Sequence, residues 1–193
     1  MSREMMRQGG RSARIQREVH AATRALLEEM DRGSVTVPMI AERAGVTPST
    51  IYRRWGDLSQ LLADVAVERL RPISDPDDTG STTGDIEAFV LQYAEEMSSP
   101  VGRALLRDVI ANGEDISCPS KCCRYTSDHL ETISARAVTR GEPPLDVPEL
   151  VDRLIAPICY HILFADRDVS PDYCRTLLDA VDLASPVAAR AAG

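Results

Sequence analysis

An all-α fold is the class this sequence predicts, and three observations carry it. Hydrophobic residues make up 44% of the 193-residue chain but aromatics only 4%, so Ala, Val, Leu and Ile must supply the core. That mix favours packed helices over a β-sandwich. Apolar residues recur at helical spacing along most of the chain, and no stretch alternates as a strand would. The breaks between these stretches carry helix punctuation: Ser, Thr or Asp ahead, Pro at the first position, Gly behind. The length is enough for one good core or two small ones.

The first predicted helix covers about residues 12–30, with Ile15, Val19, Ala22, Leu26 and Met30 on one stripe, and Gly33 closes that region. Ahead of it lies an arginine-rich leader, residues 1–11. Residues 36–56, TVPMIAERAGVTPSTIYRRWG, then read as a helix-turn-helix. Val37, Ile40, Ala41 and Ala44 give a short helix one buried stripe, and Gly45 stands where the chain must reverse in the left-handed conformation. Thr47 is placed as an N-cap hydroxyl, and Pro48 at the first helical position lacks an N–H that would be unpaired anyway. The second helix, residues 48–54, buries Ile51 and presents Ser49, Thr50, Tyr52, Arg53 and Arg54. Small hydroxyl residues let a helix sit deep in a major groove, and arginines reach guanine edges or phosphates. A plain helical hairpin would share the geometry, but not this choice of exposed residues.

Residues 57–71 form a connecting helix capped by Asp57, and residues 73–84, rich in Pro, Asp, Ser, Thr and Gly, are the expected linker. A fifth helix is marked by Ile86, Phe89, Val90, Tyr93 and Met97. A sixth starts at Ser99-Pro100 and carries Leu105, Leu106, Val109 and Ile110. The seventh spans about residues 120–140 before Gly141. The eighth, residues 146–164, opens with a capping box at Asp146 and Glu149 and contains Pro157, which should kink it. The ninth covers residues 170–183. The expected division is an N-terminal DNA-binding domain, residues 1–72, and a C-terminal regulatory and dimerisation domain, residues 85–193.

The string Ala41-x-x-Ala44-Gly45-Val46-Thr47-x-x-Thr50-Ile51-Tyr52-x-x-Trp55 resembles the DNA-binding signature of the TetR family of regulators, over roughly residues 12–70. The resemblance implies a ligand-responsive transcriptional regulator, a repressor released from a double-stranded DNA operator by a small molecule. It implies that Thr36, Thr47, Pro48, Ser49, Thr50, Tyr52, Arg53 and Arg54 face DNA. Thr47 and Tyr52 are expected on phosphates, and Ser49, Thr50 and Arg53 on or beside bases. It also implies a homodimer through the eighth and ninth helices, whose apolar stripes suit a four-helix bundle. A small-molecule pocket among the fifth to seventh helices would use Phe89, Tyr93, Met97, Tyr125 and His129. One position departs from the pattern. Family members carry a Lys three residues after the aromatic that closes the recognition helix, and here Leu58 stands there. It either weakens the phosphate contact or packs as a staple against the head.

The net charge of −8 is unevenly spread. Residues 1–72 hold 12 arginines against 9 acids, a net of +3, so the acidic remainder should face away from DNA. No run approaches the ~20 apolar residues that span a bilayer, and the N-terminus lacks an apolar signal core, so a cytoplasmic location is expected. There is no G-x-S-x-G, phosphate-binding glycine loop or H-E-x-x-H, so no catalytic set, cofactor or metal is expected. Two alternatives stay open: a helical adaptor, and a thiol- or metal-sensing regulator using Cys118, Cys122 and Cys123. An odd count of five cysteines argues against a disulfide framework.

Overall fold

The computed structural model describes residues 3–111, 117–165 and 167–183, and for residues 3–9 the backbone alone. The described residues are helical, without strands. In order they form α1 (Arg3–Glu29), a 3-10 turn (Arg32–Ser34), α2 (Val37–Ala44), α3 (Pro48–Trp55), α4 (Leu58–Arg69), α5 (Thr82–Ser98), α6 (Pro100–Ile110) and α7 (Ser117–Arg140). Then follow α8 (Val147–Leu150), a π turn (Val151–Ile155), α9 (Ala156–Leu163) and α10 (Pro171–Asp179).

Three apolar clusters organise these helices. In the head, Val19, Ala22 and Leu26 of α1 meet Val37, Ile40 and Ala41 of α2, Ile51 and Trp55 of α3, and Leu61 and Val65 of α4. The largest cluster joins α5 through Ile86, Val90 and Met97 to Leu130 and Ile133 of α7, Leu154 and Ile158 of the π turn and α9, and Cys174 of α10. The third lies between them: Ala63, Ala66 and Val67 of α4 pack on Val109 of α6 and Cys118 of α7. α4 is therefore apolar on two faces, as a helix buried on both sides must be. One face holds the head and the other holds the body.

Several boundaries differ from the sequence expectation. α1 begins at Arg3, so the leader continues the helix. Gly9 and Gly10 weaken a helix by about 1 kcal/mol each against Ala but supply no stop. α5 starts at Thr82, because the Ser81 hydroxyl accepts from Gly84 N and turns a glycine read as linker into the first turn. α7 starts at Ser117 and takes Cys118 into its first turn. α10 ends at Asp179; its last turn holds no basic residue, and a carboxylate there opposes the helix dipole. The cap at Thr47 is also a correction. Thr47 occupies the N-cap position of α3 but makes no bond to a backbone N–H. Its hydroxyl lies 2.9 Å from those of both Ser49 and Thr50. The expected kink at Pro157 takes the form of the π turn just ahead of it, closed by Ala156 N donating to the Val151 carbonyl. A wider turn redistributes the carbonyls that proline leaves without an N–H partner.

Candidate nucleic-acid interface and cavity

The turn between α2 and α3 is made by Gly45 at φ 65°, where its N–H donates to the Glu42 carbonyl and Val46 N to the Ala41 carbonyl. This left-handed residue sets the angle between the helices, and only glycine takes it without strain. α3 then buries Ile51 and Trp55 and leaves Pro48, Ser49, Tyr52 and Arg53 exposed, with Thr50 partly so. Thr36 is exposed at the cap of α2. Arg53 is unpaired among the described residues, whereas Arg54 is engaged. The Arg54 Nη1 donates to the Ser12 carbonyl (3.1 Å) and hydroxyl (2.6 Å), and its Nη2 donates to Gln16 Oε1 (2.7 Å). Its guanidinium also lies 5.1 Å from the centre of the Trp55 ring. Arg54 thus ties the recognition helix to α1.

Behind α3 sits a polar hub that the sequence reading missed. Asp64 Oδ2 of α4 accepts from Trp55 Nε1 (2.8 Å) and Gln16 Nε2 (3.3 Å), and lies 3.0 Å from Nε2 of the buried His20. Burial alone would raise the Asp64 pKa. The hydrogen bonds from His20 and Trp55 outweigh it and hold the carboxyl at about 2. Three helices converge on one oxygen, so the recognition helix is fixed from below.

In the body, all five residues chosen for a pocket, Phe89, Tyr93 and Met97 of α5 with Tyr125 and His129 of α7, line one cavity of about 340 Å³. Phe89 meets Tyr93 and His129 at ring-centre distances of 6.2 and 5.6 Å. The remaining wall was not foreseen. Besides Gln92 and Glu96 of α5 and Cys122 and Thr126 of α7, it is the C-terminal end of α4, Arg69 and Leu70, with the connector from Pro72 to Asp77. Arg136 of α7 clamps that connector by donating to the Pro76 carbonyl (2.7 Å) and the Asp77 carbonyl (3.2 Å). Arg140 pairs with the fully buried Asp85 (2.9 Å) and with Glu142 (2.8 Å), and Thr79 N and Oγ1 donate to Asp85.

Residues 20–65 match the family described as bacterial regulatory proteins, tetR family, and residues 76–181 match the tetracyclin repressor-like C-terminal domain. The chain belongs to the TetR family. It is similar to the HTH-type transcriptional regulator AqdR of Rhodococcus erythropolis, 30% identical over 135 residues, which is 68% of this chain and 65% of that relative. It is also similar to the HTH-type regulator YdeS of Bacillus subtilis, 29% identical over 164 residues, 79% of this chain and 80% of that one. A crystal structure of a TetR-family regulator from Mesorhizobium loti shares the fold, with a TM-score of 0.51 at 18% identity over 88% of this chain and 94% of that chain. The protein is therefore a TetR-family helix-turn-helix transcriptional regulator.

Against the TetR pattern, Leu58 is partly buried and packs on the head cluster at the start of α4. Asp57 beside it is the helix cap, accepting from Gln60 N at 2.9 Å. The three neighbouring cysteines of α7 are buried to different degrees. Cys118 is buried toward α4 and α6, Cys122 is half-buried between that same cluster and the cavity, and Cys123 is exposed. Burial pushes the Cys122 thiol up to about 11, aided by the neighbouring Cys123 and Cys159. Among the described residues no three His, Cys, Asp or Glu side chains are grouped to hold a metal ion, and no helix is long and apolar enough to cross a membrane.

Proposed function

We propose that this regulator is a repressor that binds a double-stranded operator as a homodimer and is released by a small molecule bound in the α5–α7 cavity. The observation that carries this reading is the double use of α4. Its Asp64 and Leu61 support the recognition helix, while its last turn walls the cavity. A ligand that fits a different position of the connector would shift α4 through its differential affinity for the two arrangements. On DNA, Tyr52 and Thr47 take phosphates, Ser49, Thr50 and Arg53 take base edges, and Thr36 and Pro48 flank them. Arg54 contributes by holding α3 to α1. Two recognition helices must lie about 34–36 Å apart, or a multiple, to meet both half-sites.

The partner in the dimer is a second copy, docked through residues 146–164 and 170–183. Support comes from Tyr160 on α9 and Phe164 at its C-terminal cap. They are 60% and 71% exposed, with ring centres 5.8 Å apart, an aromatic pair left largely uncovered by the described residues. The protein acts where the DNA is, in the cytoplasm. The raised Cys122 pKa favours a ligand-responsive cavity over thiol or metal sensing at that residue, because the thiolate is the reactive and ligating form. Gel-shift titration on the protein's own upstream DNA, with sedimentation at the same concentrations, tests the reading. Retarded fragments and a dimer are expected. A monomer that still binds one intact operator tightly would overturn the two-helix mechanism.

A further inference from the structure

We propose that the cavity takes a positively charged aromatic molecule, an aryl ring bearing an ammonium group, with the ring among Phe89, Tyr93 and Tyr125 and the cation at Asp77 and Glu96. This rests on the cavity being the effector site. Its inner wall is apolar and aromatic: Phe89 and Met97 are buried, and Tyr93 and Tyr125 are partly so. The Tyr93 hydroxyl is occupied by Cys159 Sγ at 3.1 Å, so that ring offers its face more than a polar handle. Aromatic faces carry negative potential and attract a cation within about 6 Å of the ring centre. A volume of about 340 Å³ suits a one- or two-ring molecule.

Charge at the rim decides the sign. Three carboxylates, Asp75, Asp77 and Glu96, line the opening against one guanidinium, Arg69. Arg136 stands 4.0 Å from Asp75. Among the described residues the Asp77 and Glu96 carboxylates pair with no cation, although Arg136 donates to the Asp77 backbone carbonyl at 3.2 Å; the Glu96 carboxylate accepts only the Gln92 amide at 2.8 Å. An anionic ligand would meet both of these carboxylates, with only Arg69 and the His129 ring to receive it. An ammonium would answer them, and would sit beside the connector that leads back to α4.

The test uses three probes with one ring system: 1-naphthylmethylammonium, 1-naphthalenemethanol and 1-naphthoate, titrated against the full chain by naphthalene fluorescence at low salt. The ammonium should bind about tenfold tighter than the alcohol, and the carboxylate weakest. Asp77→Asn with Glu96→Gln, both at exposed positions, should bring ammonium and alcohol to within about twofold, and Tyr125→Ala should weaken both. Equal binding of ammonium and alcohol, or tightest binding of the carboxylate, overturns the charge assignment while leaving the cavity as a ligand site. Failure of all three to bind overturns this inference. Ammonium binding with the expected preference but no change in operator affinity sustains it and overturns the effector reading instead.

Discussion

Asp64 illustrates how much one side chain can organise, because three donors from two other helices meet a single carboxylate oxygen. Asp64→Asn keeps the shape but loses the charge that strengthens these bonds, and should lower stability by about 1.5–3 kcal/mol. Trp55 is the only tryptophan, so its fluorescence reports the hub directly and should shift in this variant. The sign of the pH dependence follows from the depressed carboxyl. Its contribution is fully present above about pH 4 and is lost as the pH falls toward about 2. An acid titration of wild type and variant should therefore converge at the low end. At the interface, Arg53→Ala should cost about 1–3 kcal/mol on the best operator and relax preference at one base pair. Tyr52→Phe should weaken all sequences alike. Competition shifts on a randomised operator library measure both, and an Arg53→Ala profile identical to wild type would remove Arg53 from base readout.

At the scale of elements, α4 and the α5–α6 corner hold the architecture. Leu58 packs against the head, so Leu58→Lys should cost about 1–2 kcal/mol and lower the melting temperature by several degrees. The slope of log affinity against log salt should stay unchanged, since this position serves packing rather than phosphate. A slope steeper by about one unit per half-site would show the opposite. Gly102 is buried where α6 leaves α5. A Cβ there would overlap the Glu96 carbonyl and stand 2.7 Å from Met97 Cα, both backbone that cannot swing aside. Gly102→Ala should therefore cost about 1–3 kcal/mol by thermal melting, while Gly10, with open space around it, should tolerate Ala.

At the scale of the whole molecule, α4 joins head and body, and among the described residues an ion pair from outside it, Arg32 with Asp108, links them as well. Arg32, in the 3-10 turn of the head, pairs with the buried Asp108 of α6. Arg32→Ala leaves that carboxylate without its partner and should destabilise by about 1–3 kcal/mol. Adding Asp108→Leu should recover most of the loss, since replacing both partners removes the unpaired charge. Chemical denaturation of the two variants checks this, and equal stability of the single and double variants would deny the pair its role.

What the sequence determined by itself was largely what neighbours along the chain govern, the Thr47 cap and the start of α5 excepted. The left-handed turn at Gly45, the caps at Asp57, Ser99 and Ser170, and the buried stripes of α1 and α3 depend on spacing and local chemistry alone. Phe89, Tyr93 and Met97 stand four residues apart, as do Tyr125 and His129, so each set shares a helix face before any packing is known. Periodicity says which face is buried, however, and not what covers it. Only the tertiary structure could bring Arg54 to Ser12 and Gln16, Asp85 to Arg140, and the polar connector to the cavity wall. Cys118, Cys122 and Cys123 make the converse point. Cys118 and Cys122, four residues apart, share a face of α7 toward the α4–α6 cluster, whereas Cys123, about 100° further round the helix than its neighbour Cys122, is exposed.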